Sequence, residues 1–231
     1  YESLLQQAFV VADFATRRQL IAGQVKTCAD SAGLATQAES ALLDEVAGLV
    51  EWPVAVVGSF DEAFLEVPAE ALVSSMREHQ KSFPLFTSDG KLAAKFITVA
   101  NIESEQPELM VQGFERVIRP RLADARFFYE QDRQSPLADR MARLGEMLFQ
   151  ERLGSLADKA GRLEDLGASL APAFGADPTD CARAAGLCKC DLLTEMVGEF
   201  PELQGIMGRY YARADGEPEA VAEAIESHYL P

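Results

Sequence analysis

Apolar residues recur at helical spacing near the start of the chain, at Leu5, Phe9, Ala12, Leu20, Ile21 and Val25, and again at Leu42, Leu43, Val46 and Leu49. This periodicity predicts two opening helices, over residues 2–28 and 39–49. Pro53 then starts a β-branched run, Val54-Ala55-Val56-Val57-Gly58, and Phe64-Leu65-Glu66-Val67 alternates like a second strand. Pro68 suits the first position of a helix running through Met76. Next come Phe83-Pro84-Leu85-Phe86, Ser88-Asp89-Gly90 and Lys95-Phe96-Ile97-Thr98-Val99, which read as strand, tight turn and strand, because Asp-Gly supplies the positive φ a hairpin needs. Pro84 places the first of these strands at an edge or a bulge.

From Pro107 onward the pattern is helical, with breaks expected at Pro120, Pro136, Pro172, Pro178 and Pro201 and a periodic helix over Leu137 to Leu153. The expected fold class is α+β, a mixed α/β part followed by an all-helical one. The boundary is expected at Ser135-Pro136, giving domains 1–135 and 136–231.

Length and composition agree with a folded core: 231 residues, 48% apolar and 25% charged. No run of eighteen apolar residues occurs, and YESLLQQAF has neither a basic leader nor a small-residue cleavage site, so a cytoplasmic address without membrane insertion is expected. The chain opens on Tyr1 and stops at Leu230-Pro231 after a helix-like stretch, and it reads as a piece of something longer. Net charge is −16. Residues 1–115 carry 7 basic and 17 acidic side chains, residues 116–152 carry 8 and 6, and residues 153–231 carry 6 and 14. A field of that sign repels phosphate, so generic nucleic-acid binding and DNA are excluded, and any RNA contact must use a local basic strip.

Such a strip has a candidate. Arg119, Arg126, Arg133 and Arg140 recur every seven residues, with Arg116, Arg121 and Arg143 nearby and Phe127-Phe128-Tyr129 between them. Guanidinium forks match phosphate. A solvated face paired with Asp124, Glu130, Asp132 and Asp139 explains the same spacing, and Pro120 and Pro136 are expected to divide the stripe. His79-Gln80-Lys81 sits in a loop, as a structural cap or a partner contact.

Other chemistry finds little support. The only histidines, His79 and His228, lie too far apart for a zinc-protease helix, and the metal set of an HD phosphohydrolase cannot be assembled. Phosphate loops and a Gly-x-Ser-x-Gly elbow are missing from the sequence. Cys28, Cys181, Cys188 and Cys190 form no disulfide framework. On one helix Cys190 would turn roughly 200 degrees away from Cys188, so these thiols read as small buried side chains and no metal site is expected.

Four blocks carry a family likeness: Met76-Arg77-Glu78-His79-Gln80-Lys81-Ser82-Phe83, Phe96 to Ser104, Arg119 to Tyr129, and Cys190-Asp191-Leu192 through Phe200 to Gly208. They resemble the beta subunits of bacterial heteromeric glycyl-tRNA synthetases over nearly the whole chain, most weakly over residues 28–45 and 170–182. The resemblance implies an internal part of a longer subunit, serving ATP-dependent attachment of glycine to tRNA(Gly) with an alpha subunit as partner. ATP and magnesium are then expected at the alpha subunit's class II site, with no cofactor and no catalytic residue in this portion. The first part resembles a B3/B4-type domain and the second a degenerate HD domain truncated at its C-terminus.

In the HD pattern, Asp158-Lys159 falls near the first metal histidine, and Cys190 replaces the histidine of the His-Asp doublet whose aspartate is Asp191. A lysine there disfavours a divalent ion. Ala214 stands where the family usually has histidine, and Phe114 where asparagine is usual. The implied tRNA or subunit contacts are Arg116, Arg119, Arg121, Arg126, His79 and Lys81. The alternatives are a pure subunit-docking scaffold and a residual hydrolase or editing domain.

Overall fold

The computed structural model describes residues 1–37 and 39–230. Tertiary contacts divide the chain into two compact units, Tyr1–Arg126 and Phe127–Pro231. The division falls inside one long helix, whereas the break at Ser135-Pro136 lies just beyond that helix, ahead of the next turn of structure. No helix among the described residues is long and apolar enough to cross a membrane.

The first unit opens with α1 (Glu2–Gln7) and α2 (Phe14–Ser31), so the single helix expected over residues 2–28 is interrupted, with Phe9 at φ 58° turning the chain between them. Asp13 starts α2 by accepting from the Thr16 amide at 2.7 Å, which satisfies one of the orphan N–H groups of the first turn. After β1 (Ala35–Thr36) and α3 (Ser40–Leu49) come β2 (Val54–Ser59), α4 (Ala69–Ser74), β3 (Phe83–Phe86) and β4 (Leu92–Ala100). The four strands form an antiparallel sheet in the order β1-β3-β4-β2. Ile21, Val25, Leu42, Val46, Phe83 and Ile97 meet in its core, so α2 and α3 bury their apolar stripes on this sheet.

The expected hairpin forms, with Gly90 at φ 81° and the Thr87 amide donating to the Lys91 carbonyl at 2.8 Å. Pro84 lies on an interior strand, and the register shifts between Pro84 and Phe86, so of the two expected explanations the bulge holds. Gly58 is required by its neighbour: a Cβ there would stand 2.5 Å from Cζ of Phe96, its cross-strand partner. The open edge of β2 is occupied by side chains. Gln24 accepts from the Ala55 amide at 2.7 Å, and Glu115 accepts from the Ser59 amide at 2.8 Å.

Three further expectations are corrected. Phe64-Leu65-Glu66-Val67 is not a strand, because Asp61 accepts from the Ala63 amide and sets a 3-10 turn over Glu62–Glu66. Pro120 does not break the chain's longest helix, α5 (Pro107–Asp132). Its ring lies on the exposed face, while Ile118, Leu122 and Ala125 are buried opposite, so packing outweighs one missing backbone bond. The second unit is also not wholly helical. Where a helix over Leu137 to Leu153 was expected, a 3-10 segment (Leu137–Glu146) leads into a hairpin of β5 (Leu148–Gln150) and β6 (Gly154–Ser155). Arg140 draws its guanidinium onto the carbonyls of Asp132, Ser135 and Pro136, and Gly154 turns the chain at φ 84°.

The rest of that unit is helical: α6 (Leu156–Leu170), α7 (Pro178–Leu187), α8 (Glu195–Glu199), α9 (Ile206–Ala214) and α10 (Glu219–Ser227). A capping box between Ser155 and Asp158 begins α6, and Asp177 followed by Pro178 begins α7. α6 packs on α7, and α10 packs on both α9 and α7 around Leu187, Met207, Tyr211, Val221 and Ile225.

Candidate functional site

Helix α5 turns Ile118, Leu122 and Ala125 inward, which leaves Arg116, Arg119 and Arg121 exposed. None of these three makes an ion pair among the described residues. Arg126 is half-buried and pairs with Glu66 at 3.4 Å. The seven-residue recurrence does not continue as one stripe. Arg133 follows the end of α5 and lies over the Tyr129 ring at 5.3 Å, and Arg140 is largely buried within its carbonyl clamp. Of the acidic partners considered for the stripe, Asp132 pairs with Arg140 at 3.6 Å.

His79 does not lie in the expected loop: it ends a π-turn over Ser75–His79, and the chain leaves the helix through Gln80 and Lys81. His79 is exposed. Lys81 takes a left-handed conformation at φ 50° and reaches Glu45 of α3 at 2.8 Å, and Arg77 reaches Glu39 at 2.7 Å. Lys81 therefore ties its loop to α3 with its charge already compensated.

The residues expected at the HD positions occupy separate local roles. Asp158 is exposed, and hydrogen bonds from Ser155 hold its carboxyl below the usual range. Lys159 sits over the Phe149 ring at 4.2 Å. Cys190 is fully buried, and desolvation pushes its thiol up to about 12, as expected for packing rather than ligation. The segment expected to be a doublet-bearing helix is broken: α7 ends at Leu187, and Cys190–Leu193 form a 3-10 turn. Among the described residues no three His, Cys, Asp or Glu side chains converge as metal ligands.

Asp191 is fully buried and accepts from the Gly205 amide at 2.6 Å. Burial raises its carboxyl pKa, and Oδ1 has no hydrogen-bond partner. Gly208 leaves room for this carboxylate, since a Cβ there would lie 3.1 Å from Oδ2.

Two arrangements had no sequence signal because their partners are distant in the chain. Asp132 is 3% exposed and accepts from the amides of Glu195 and Met196 at 2.9 and 3.0 Å and from the Tyr211 hydroxyl at 2.8 Å. It thus holds the N-terminus of α8 and one face of α9. Lys189, also buried, places Nζ 2.7 Å from Nε2 of His228 and 3.8 Å from the Tyr229 ring centre. The Nδ1 of His228 lies 2.6 Å from the Ile225 carbonyl, so Nδ1–H donates there and Nε2 accepts from the ammonium.

Hollows lie in both units. The first unit has a cleft of about 810 Å³ lined by Leu20, Cys28, Trp52 and Val54, largely apolar. The second unit has a polar cleft of about 320 Å³ between the end of α5, the 3-10 segment at 137–146 and the start of α8.

A family model described as "Glycyl-tRNA synthetase beta subunit" matches residues 1–231. Relatives named "Glycine--tRNA ligase beta subunit" include those of Chromohalobacter salexigens, 54% identical over 231 residues, and Acinetobacter baylyi, 51% identical over 231 residues. That of Pseudomonas savastanoi pv. phaseolicola is 54% identical over 237 residues. Each alignment covers 100% of this chain and 34% of the relative, so the chain spans about a third of the length of these proteins.

Proposed function

Because this chain belongs to the glycyl-tRNA synthetase beta subunit family, we propose that it is a non-catalytic portion of that subunit which contacts tRNA through α5. In this reading the complete enzyme joins glycine to tRNA(Gly) in the cytoplasm with ATP, and the alpha subunit carries ATP, magnesium and the chemistry. The observation that carries the proposal is the set Arg116, Arg119 and Arg121, exposed and unpaired among the described residues of a chain whose net charge is −16. Three uncompensated guanidinium groups on one helix are costly to keep in an acidic protein unless an anionic partner uses them, and a phosphate backbone fits their forks.

The helical unit is read as an HD scaffold whose ligand positions have been reassigned. Asp191 supports this reading by binding a backbone amide, and Cys190 by packing in the core. Docking of the alpha subunit on this unit is favoured by a separate feature, the exposed apolar side chains Leu166, Leu170 and Phe174.

The test is Arg119→Ala with Arg121→Ala in the complete alpha–beta enzyme. The dependence of log affinity for tRNA on log salt should flatten by roughly 0.9 per lost phosphate contact, taking the duplex coefficient as a guide. An unchanged slope removes α5 from the tRNA interface.

A further inference from the structure

We propose that the polar cleft of the second unit receives one unpaired, amino-bearing base of tRNA, that is, an adenine, a cytosine or a guanine. The inference rests on the tRNA-binding reading above and gives it a second site with a different chemistry.

The cleft holds about 320 Å³, at the small end of ligand sites and on the scale of a single nucleoside. Its floor is rigid. Arg140 is fixed by the carbonyls of Asp132, Ser135 and Pro136, and Asp132 is fixed by the amides of Glu195 and Met196 and by the Tyr211 hydroxyl. The groups facing the opening are Gln131, Gln134, Asp139, Arg143, Leu193 and Glu195. Gln131 and Gln134 touch one another only through long amide contacts of 3.2 and 3.4 Å, and Asp139, Arg143 and Glu195 make no ion pair among the described residues. Their hydrogen-bonding capacity is therefore open to a ligand.

The charges choose the ligand. Arg140 and Asp132 neutralise one another, which leaves Arg143 against Asp139 and Glu195. An isolated phosphate gains nothing in such a site. A base edge gains much: the carboxylates accept from an exocyclic amine, an amide matches adenine with paired donor and acceptor, and a guanidinium plane with a leucine supplies a stacking surface. Uracil, which has no amino group, fits this acceptor-rich rim least well. Protein interfaces of ordinary size bury on the order of 1,200 Å² or more, so a hollow this small does not by itself accommodate a partner's surface.

The experiment uses the complete alpha–beta enzyme and an unmodified glycine-accepting tRNA transcript. Dimethyl sulfate reports the accessibility of adenine N1 and cytosine N3, and kethoxal that of guanine N1 and N2. Wild-type enzyme should protect at least one unpaired adenine, cytosine or guanine. That base should become reactive with Asp139→Asn and with Gln134→Ala, both at exposed positions where folding is not at stake. Affinity should fall about tenfold, while the salt slope stays at the wild-type value because no phosphate contact is lost.

A protection pattern identical in wild type and both variants overturns the proposal. Separation of alpha from beta in sedimentation, with base protection unchanged, also overturns it and assigns the cleft to a partner side chain. If Arg119→Ala with Arg121→Ala flattens the salt slope while the cleft variants change nothing, this proposal falls and the α5 reading stands. If the slope is unmoved but the cleft variants expose a base, the α5 reading falls alone.

Discussion

Both units close over apolar side chains, but they differ in the polar groups they enclose. The first unit buries hydroxyls, at Ser74, Ser75, Ser82 and Thr98, while the second buries Asp132, Lys189 and Asp191 together with Thr194. The sheet unit satisfies its backbone through strand pairing and needs side chains only at its margins, as with Gln24 and Glu115 on β2. The helical unit is made of short helices, several under ten residues, whose ends reach the interior. Their orphan amides must be met there, and buried carboxylates meet them: Asp132 at α8, Asp191 just ahead of α9. The two buried carboxylates of this interior therefore follow from helix length and do not by themselves imply catalysis.

The sharpest way to break this contrast is Asp132→Ala. It removes the acceptor of two amides and a hydroxyl and leaves Arg140 without its carboxylate, and should cost the helical unit about 3–5 kcal/mol. Urea unfolding followed by circular dichroism should show the loss, while Trp52, the only tryptophan and a residue of the first unit, should report an unmoved transition by fluorescence. A Trp52 transition that moves equally would mean the two units do not differ as described.

Gly58→Ala strikes the first unit instead, by driving a methyl group into Phe96. The expected cost is about 1–3 kcal/mol, read by Trp52 fluorescence, and an unchanged midpoint would contradict the close packing of that strand pair. Cys190→Ser should cost about 1–2 kcal/mol, because the smaller hydroxyl is costlier to desolvate and leaves a void, even though the Gly186 carbonyl that accepts from the thiol at 3.7 Å stays in place. Thermal melting checks it; unaltered stability would place the thiol at the surface.

The smallest effects are pH-dependent. Burial favours the neutral forms of both Asp191 and His228. The unfolded Asp191 carboxyl ionises near 3.8 and the folded one only at higher pH, so its contribution to stability declines as the pH rises above that value. The unfolded His228 ring takes a proton near 6.5 and the folded ring only at lower pH, so its contribution declines as the pH falls below 6.5. Lys189 and Lys159 both oppose the imidazolium. Asp191→Asn should therefore gain on wild type as the pH rises above 3.8, and His228→Gln should gain as the pH falls below 6.5, as measured by urea midpoints. A trend of the opposite sign for either variant would reject its assigned environment.

The same contrast governs what could be read from the chain. Periodicity and turn chemistry were enough for α3, β2 and the β3–β4 hairpin, since each depends on neighbours within a few residues, but they ran α1 and α2 together as one helix. The family likeness was visible in blocks such as Arg119 to Tyr129. Expectations failed where a distant contact outweighed a local signal, as at Pro120, held within a helix by its buried face, and at Leu137 to Leu153, reshaped by the Arg140 clamp. Arg116, Arg119 and Arg121 could be picked from the sequence as candidates, but their exposure rests on the inward turn of Ile118, Leu122 and Ala125; neither the engagement of Lys81 by Glu45 nor the roles of Asp132 and the Lys189–His228 pair, whose partners lie 39 to 79 residues away, could be read from spacing.

The central claim is that α5 faces tRNA phosphates. The most direct test places a photoreactive amino acid at position 119 or 121 of the beta chain in the complete enzyme and irradiates it with tRNA(Gly) bound. The account predicts covalent transfer to the tRNA; crosslinks confined to the alpha chain, or none at all, would contradict it.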